Sequence, residues 1–147
     1  MRSISVLFIF LINISCNTVS ENTKEKLNQL AISLEKTACF GTCPVFKIKI
    51  YNNGDAIFEG KKFVKKTGLI KFKVKQNEIQ KILAKAKNIK FTKMLNEYTE
   101  KITDLPTTYI QIKEKKIKDY YGAPKKLKDL EKLIEEIVLN KLNLDSF

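Results

Sequence analysis

Between residues 30 and 75 apolar side chains recur at every second position in four separate runs, a period that suits β-strands and not a helix. Leu30, Ile32 and Leu34 alternate with Ala31, Ser33 and Glu35, which predicts a half-buried strand over about 30–37. Phe46, Ile48 and Ile50 then alternate with Lys47, Lys49 and Tyr51. Asn52-Asn53-Gly54-Asp55 follows, and Asn-Gly predicts a hairpin with a type I′ turn, which needs positive φ at both central residues. Ala56 to Gly60 returns as a third strand. Beyond Gly68, Ile70, Phe72 and Val74 alternate with Lys71, Lys73 and Lys75, a fourth strand with a basic outer face.

The period then changes. Ile79, Ile82, Leu83, Ala86 and Ile89 fall at helical spacing and predict a helix over about 77–88. Asn77 is placed to cap it, and Glu78 to complement the positive end of its dipole. Residues 91–106 fit no single period: Phe91, Met94, Leu95 and Tyr98 suit either a helical turn or a loop lining. Thr103-Asp104-Leu105-Pro106 reads as a turn. Ile110 and Ile112 alternate within 107–113, and 117–121 pairs back across a turn near Glu114-Lys115. Gly122-Ala123-Pro124 ends that strand, and Pro124 suits the first turn of a helix. Leu127, Leu130, Leu133, Ile134, Ile137, Val138 and Leu142 draw one apolar stripe over about 125–141, read as core packing. The order is β-β-β-β-α-β-β-α. Alternating runs imply a single antiparallel sheet with one covered face, so the expected fold is α+β with two helices packed on one face. A chain of 147 residues, 44% hydrophobic, supports one such domain, assigned to residues 29–147.

Between the first two strands lies Cys39-Phe40-Gly41-Thr42-Cys43-Pro44, with two of the three cysteines of the chain. Three intervening residues bring the two Cα atoms within bridging distance if the loop curls, as Gly41 permits, and Pro44 stiffens the exit. A Cys39–Cys43 disulfide would stabilise the fold by only about 2 kcal/mol and would chiefly fix the corner. Other readings stay open. A dithiol oxidoreductase would use the same pair, although such thiols usually sit at a helix N-terminus in Cys-x-x-Cys. A zinc site needs four ligands, and the chain has no histidine and no second cysteine pair. The loop as a whole (Phe40, Gly41, Thr42 and Pro44) is a candidate binding surface, with backbone N–H groups around residues 40–42 able to form an anion-binding nest.

The N-terminus reads as an address. Arg2 precedes an apolar run from Ile4 to Ile12, too short to span a bilayer, and Ser15-Cys16 follows. This resembles a bacterial lipoprotein signal peptide, with cleavage before Cys16 and acylation of that residue, although Asn13 stands where leucine is usual. Residues 1–15 are then the signal peptide, and 16–28 the lipidated cysteine and a polar tether. Asn17 in second place favours the outer membrane over the inner, by resemblance to other lipoproteins. Delivery to an oxidising compartment also favours the disulfide.

The net charge of +12 is carried by lysine: Arg2 is the only arginine among 28 basic residues. Arginine supplies the planar fork that reads phosphate and guanine, so a specific nucleic-acid reader is not expected. A lysine-rich surface attracts acidic polymers or lipid headgroups in a salt-sensitive way. The absence of histidine removes Ser-His-Asp and Cys-His nucleophilic systems. Asp104 has no partner acid or base evident in sequence, so Asp104 and Pro106 are read as a turn or contact and no catalytic residue is assigned.

The stretch Ile32 to Phe46 with its Cys-Phe-Gly-Thr-Cys-Pro loop, together with Asn53-Gly54, Gly60, Thr103 to Pro106 and Tyr121 to Pro124, resembles an uncharacterised family of bacterial envelope lipoproteins. The likeness covers about residues 30–140 and implies no substrate, cofactor or catalytic residue. The expected function is a lipid-anchored, non-enzymatic envelope module without metal or cofactor, bound to the membrane through its lipid and to an envelope protein or acidic polymer through its surface. The alternative is a periplasmic thiol-disulfide protein using Cys39 and Cys43.

Overall fold

Each of the four alternating runs forms a strand in a computed structural model that describes residues 29–147. These are β1 (Leu30–Lys36), β2 (Val45–Tyr51), β3 (Asp55–Lys62) and β4 (Gly68–Lys73). Helix α1 (Gln76–Asn88) follows, then a 3-10 turn (Phe91–Lys93), β5 (Glu97–Tyr98), β6 (Thr108–Ile112), β7 (Lys115–Asp119) and helix α2 (Lys125–Leu142). Alternation maps onto burial along β2, where Phe46, Ile48 and Ile50 are buried and Lys47, Lys49 and Tyr51 face the open side. On β1, between β2 and β6, Ala31 and Ser33 are buried as well as Ile32 and Leu34, so that strand is not half-buried as expected. The buried faces of the strands form one cluster with Ile79, Ile82 and Ala86 of α1 and Leu127, Leu130 and Ile134 of α2. The signal peptide expected over residues 1–15 and the lipidated Cys16 with its polar tether over 16–28 lie outside the described residues.

The sheet has seven strands in the order β4-β3-β2-β1-β6-β7-β5. Every pairing is antiparallel except β5 with β7, which is parallel. The sheet is therefore mixed, which corrects the expectation of six wholly antiparallel strands. A two-residue strand is too short to show any alternation. It is defined by long-range backbone bonds: Lys118 N–H donates to Asn96 O (2.9 Å) and Tyr120 N–H to Tyr98 O (2.9 Å).

Two local expectations also change. Between β2 and β3 only Gly54 has positive φ (+86°), so the turn is not type I′. Its loop is three residues long: Gly54 N–H donates to Tyr51 O (3.0 Å), and Asp55 N–H to Asn53 Oδ1 (2.9 Å). Helix α1 starts one residue before Asn77, with Lys75 at the cap. Glu78 accepts the Lys75 N–H (2.8 Å), so the acid reaches back to an unsatisfied donor as well as facing the dipole.

Charge anchors show how α2 lies on the sheet. Lys128 near its start pairs with Asp119 at the end of β7. Glu135 in its middle pairs with Lys36 at the end of β1 (2.7 Å). Past its C-terminus, Asp145 pairs with Lys65 in the β3–β4 turn. The helix thus crosses the strands, and Lys141 meets Glu78 of α1 at 2.8 Å. Phe147 closes the packing, its ring centroid 4.1 Å from that of Phe46 and 5.4 Å from that of Phe58.

Candidate functional site

Strand register gathers four loops at one end of the sheet. The end of β1 (Lys36) pairs with the start of β2 (Phe46) and of β6 (Thr108). The start of β2 (Val45) pairs with the end of β3 (Lys62), and the end of β7 (Asp119) pairs with Thr108. Loops 37–44, 63–67, 99–107 and 120–124 therefore share this end. The chain enters β1 from the opposite end, where Leu30 pairs with Tyr51.

The cysteine loop is closed by a Cys39–Cys43 disulfide with Cα atoms 5.7 Å apart. So short a loop cannot tuck the side chain of Phe40 beneath itself, and that ring is 90% exposed. Gly41 N–H donates to Cys39 Sγ (3.2 Å), and residues 40–42 include no positive φ. The anion-binding nest considered from sequence is therefore not formed, because it needs alternating backbone hands and free N–H groups. Thr42 is exposed, and Pro44, partly buried, leads into β2.

Loop 99–107 is tied beside it: Thr37 N–H donates to Thr107 O (3.0 Å), and Thr107 N–H to Thr37 Oγ1 (3.0 Å). Tyr120 Oη donates to Ile102 O (2.5 Å) and pins the loop from the other side. Asp104 stands exposed in a left-handed bend (φ +73°), as a turn former should, and Pro106 is partly buried. No hydrogen bond or ion pair joins Asp104 to another described residue. Among the described residues no cluster of three or more His, Cys, Asp or Glu is placed to hold a metal.

Register brings together residues that sequence alone did not group. Among the described residues seven large hydrophobic side chains are exposed, and five of them, Phe40, Phe63, Ile102, Leu105 and Tyr121, lie on these four loops. Each is isolated in sequence, so no period flags them. The strand pairing aligns their loops along one end of the domain.

Beneath this end lies a buried acid pair. Asp119 is 1% exposed and Glu131 of α2 is 4% exposed. The half-exposed Lys128 ammonium pairs with Asp119 and stands 3.8 Å from Glu131. Apart from that ammonium, Asp119 and Glu131 Oε1 have no hydrogen-bond donor among the described residues. Burial, and then the Asp119 carboxylate, push the Glu131 carboxyl up to about 8. The Glu131 carboxyl thus keeps its proton well above the usual carboxylate range, facing the Asp119 carboxylate. A sequence signal existed for both: Glu131 follows Leu127 by four on the apolar stripe, and Asp119 follows Ile117 by two on the covered face.

Replacing both cysteines, Cys39→Ser with Cys43→Ser, is expected to cost about 2 kcal/mol, the chain entropy of so short a loop. Denaturant unfolding checks this, and a loss beyond about 4 kcal/mol would mean the bridge also holds the neighbouring loop in place.

No curated protein matches the chain. The family pattern described as a domain of unknown function, DUF6438, matches residues 30–138, from the first residue of β1 into α2. The chain belongs to the DUF6438 family.

Proposed function

We propose that this protein is a lipid-anchored envelope module that binds a partner protein through the loop end of its sheet. One observation carries the binding surface: a disulfide-held, almost fully exposed Phe40 at the same end of the sheet as the loops that bear four other exposed apolar side chains. Aromatic anchors on rigid supports are what protein interfaces use, because little entropy is lost when they dock. The anchor rests on the signal-like residues 1–16 and on acylation of Cys16, with the outer membrane as destination. A tether leading into β1 would enter at the far end and leave the loops facing away from the lipid. Among the described residues no helix is long and apolar enough to cross a membrane.

A photo-crosslinking residue at Thr42 tests the surface in cells, and intact mass of the membrane-extracted protein tests the acyl group. Phe40→Ala is expected to shift stability by less than about 0.5 kcal/mol, as exposed substitutions do, while abolishing the Thr42 crosslink. A crosslink that survives Phe40→Ala moves the contact elsewhere, and an unacylated chain removes the anchor.

A second reading draws on the Gly41 N–H at Cys39 Sγ, a donor that would also stabilise a thiolate. Equilibration in glutathione buffers separates the two. A bridge half-reduced above about −250 mV favours thiol-disulfide exchange, and one that stays closed to below about −300 mV favours the structural role.

A further inference from the structure

At the end of the sheet opposite the four loops, the second half of α1, the 3-10 turn and the β6–β7 turn enclose an open groove of about 870 Å³. That volume falls in the range of small-molecule sites. Its floor is carbon: Leu83 and Ala86 of α1, Phe91 of the 3-10 turn and Ile112 of β6. Its rim is cationic: Lys87, Lys90, Lys93, Lys113 and Lys115, against Glu114 as the one acid.

What sets these lysines apart is that five of them, all without an ion pair among the described residues, line one groove. Many of the others stand in ion pairs, such as Lys47 with Glu35 (2.9 Å) and Lys141 with Glu78 (2.8 Å). None of the five rim lysines pairs with a carboxylate among the described residues. Lys115 donates only to neutral oxygens, Met94 O (2.9 Å) and Asn96 Oδ1. Two of the five occupy left-handed backbone positions, Lys90 after α1 (φ +57°) and Lys113 in the β6–β7 turn (φ +53°). Glycine or asparagine suits such positions better. Five like charges gathered against a single acid, Glu114, repel one another and destabilise the fold, so the rim favours an anion from outside.

We propose that this groove binds an anionic amphiphile, a single acyl chain ending in a carboxylate or phosphate. The two halves of the site select it jointly. An inorganic anion or an acidic polymer would satisfy the rim and leave the carbon floor in water. A neutral hydrocarbon would cover the floor and leave the lysines unopposed. An acyl chain on the floor with its charged head among the lysines answers both, burying apolar area where the head gains electrostatic attraction. The site is separate from the loop end and does not depend on what binds there.

The test uses the full chain, with fluorescence of 11-(dansylamino)undecanoate as probe and oleate as competitor. Saturable binding displaced by oleate is expected. Lys87→Gln, Lys90→Gln and Lys113→Gln combined should weaken it at least about tenfold, with the thermal midpoint showing that the fold is retained. Ala84→Phe, which places a ring in the groove from the exposed side of α1, should weaken it comparably. A control with Lys62→Gln, Lys71→Gln and Lys126→Gln, remote from the groove, should bind within about twofold of the native chain. Equal binding by the groove and control variants would overturn the proposal. Displacement by inorganic phosphate as effective as by oleate would make the site a simple anion site, and equal displacement by monoolein would make the lysines irrelevant. Either result refutes the amphiphile.

Discussion

Raising the pH from below 4.5 to above about 8 is expected to destabilise the folded domain by on the order of 5 kcal/mol through Glu131. The folded carboxyl is raised to about 8, whereas in the unfolded chain it takes the ordinary value of 4.5. Below 4.5 both states hold the proton and the contribution is fully present. Between the two values the unfolded chain releases the proton and the folded chain keeps it, so stability falls with rising pH and levels off above about 8. The groups facing Glu131 are Asp119 from β7, Lys128 from its own helix, and Lys36 from β1, itself paired with Glu135. On the acid side the sign reverses. Burial works against ionising Glu35 and Glu78, but Lys47 at the first and Lys141 at the second hold both carboxyls below their ordinary value. Those contributions are present above that value and are lost as pH falls. Stability should therefore fall on both sides of the ordinary carboxylate range, toward acid through Glu35 and Glu78 and toward alkali through Glu131.

Glu131→Gln separates this effect from the rest. A glutamine amide donates to Asp119 as the protonated acid does, and has no proton to lose. Urea unfolding from pH 4.5 to 8.5 should show the native slope largely abolished in the variant, with the variant more stable at the alkaline end. Parallel curves for the two proteins across that window would show that Glu131 is ionised in the folded state.

Gly60→Ala is expected to destabilise by about 3 kcal/mol or more, for a steric reason and not a conformational one. A methyl group at Gly60 would lie 2.0 Å from the Lys66 carbonyl oxygen and 3.0 Å from both Phe58 and Val64. Backbone must then move, and it moves against the β3–β4 ladder, where Gly60 faces Gly68. Two other glycines calibrate the measurement. Gly68 has open space but a φ of +87°, so Gly68→Ala should cost about 1 kcal/mol from backbone conformation alone. At Gly41 the nearest atom is Cys39 Sγ at 3.9 Å, and alanine there should be close to neutral. A Gly60→Ala loss no larger than that of Gly68→Ala would mean that loop 63–67 yields freely.

Much of this architecture is legible in the chain itself. Apolar alternation is a local property, set by side chains that point to opposite faces of a pleated backbone, so it places β1 to β4, β6 and β7 within a few residues. Helical spacing does the same for α1 and α2. The Cys39–Cys43 pair is legible because the thiols are four residues apart and the loop between them has few ways to run. Other features depend on which distant segments meet. The parallel pairing of β5 rests on two residues and on backbone bonds to β7, and backbone bonds leave no mark on side-chain pattern. The close approach at Gly60 exists only because loop 63–67 folds back over β3. Glu131 could be seen on the apolar face of its helix, and Asp119 on the covered face of its strand. That the two acids would meet, and so hold a proton, required α2 to cross the sheet over the end of β7. Local periodicity thus determined the elements and their buried sides. Long-range register and helix placement decided the exposed apolar end, the lysine-rimmed groove and the buried acid pair, because each joins residues whose spacing along the chain says nothing of their distance in space.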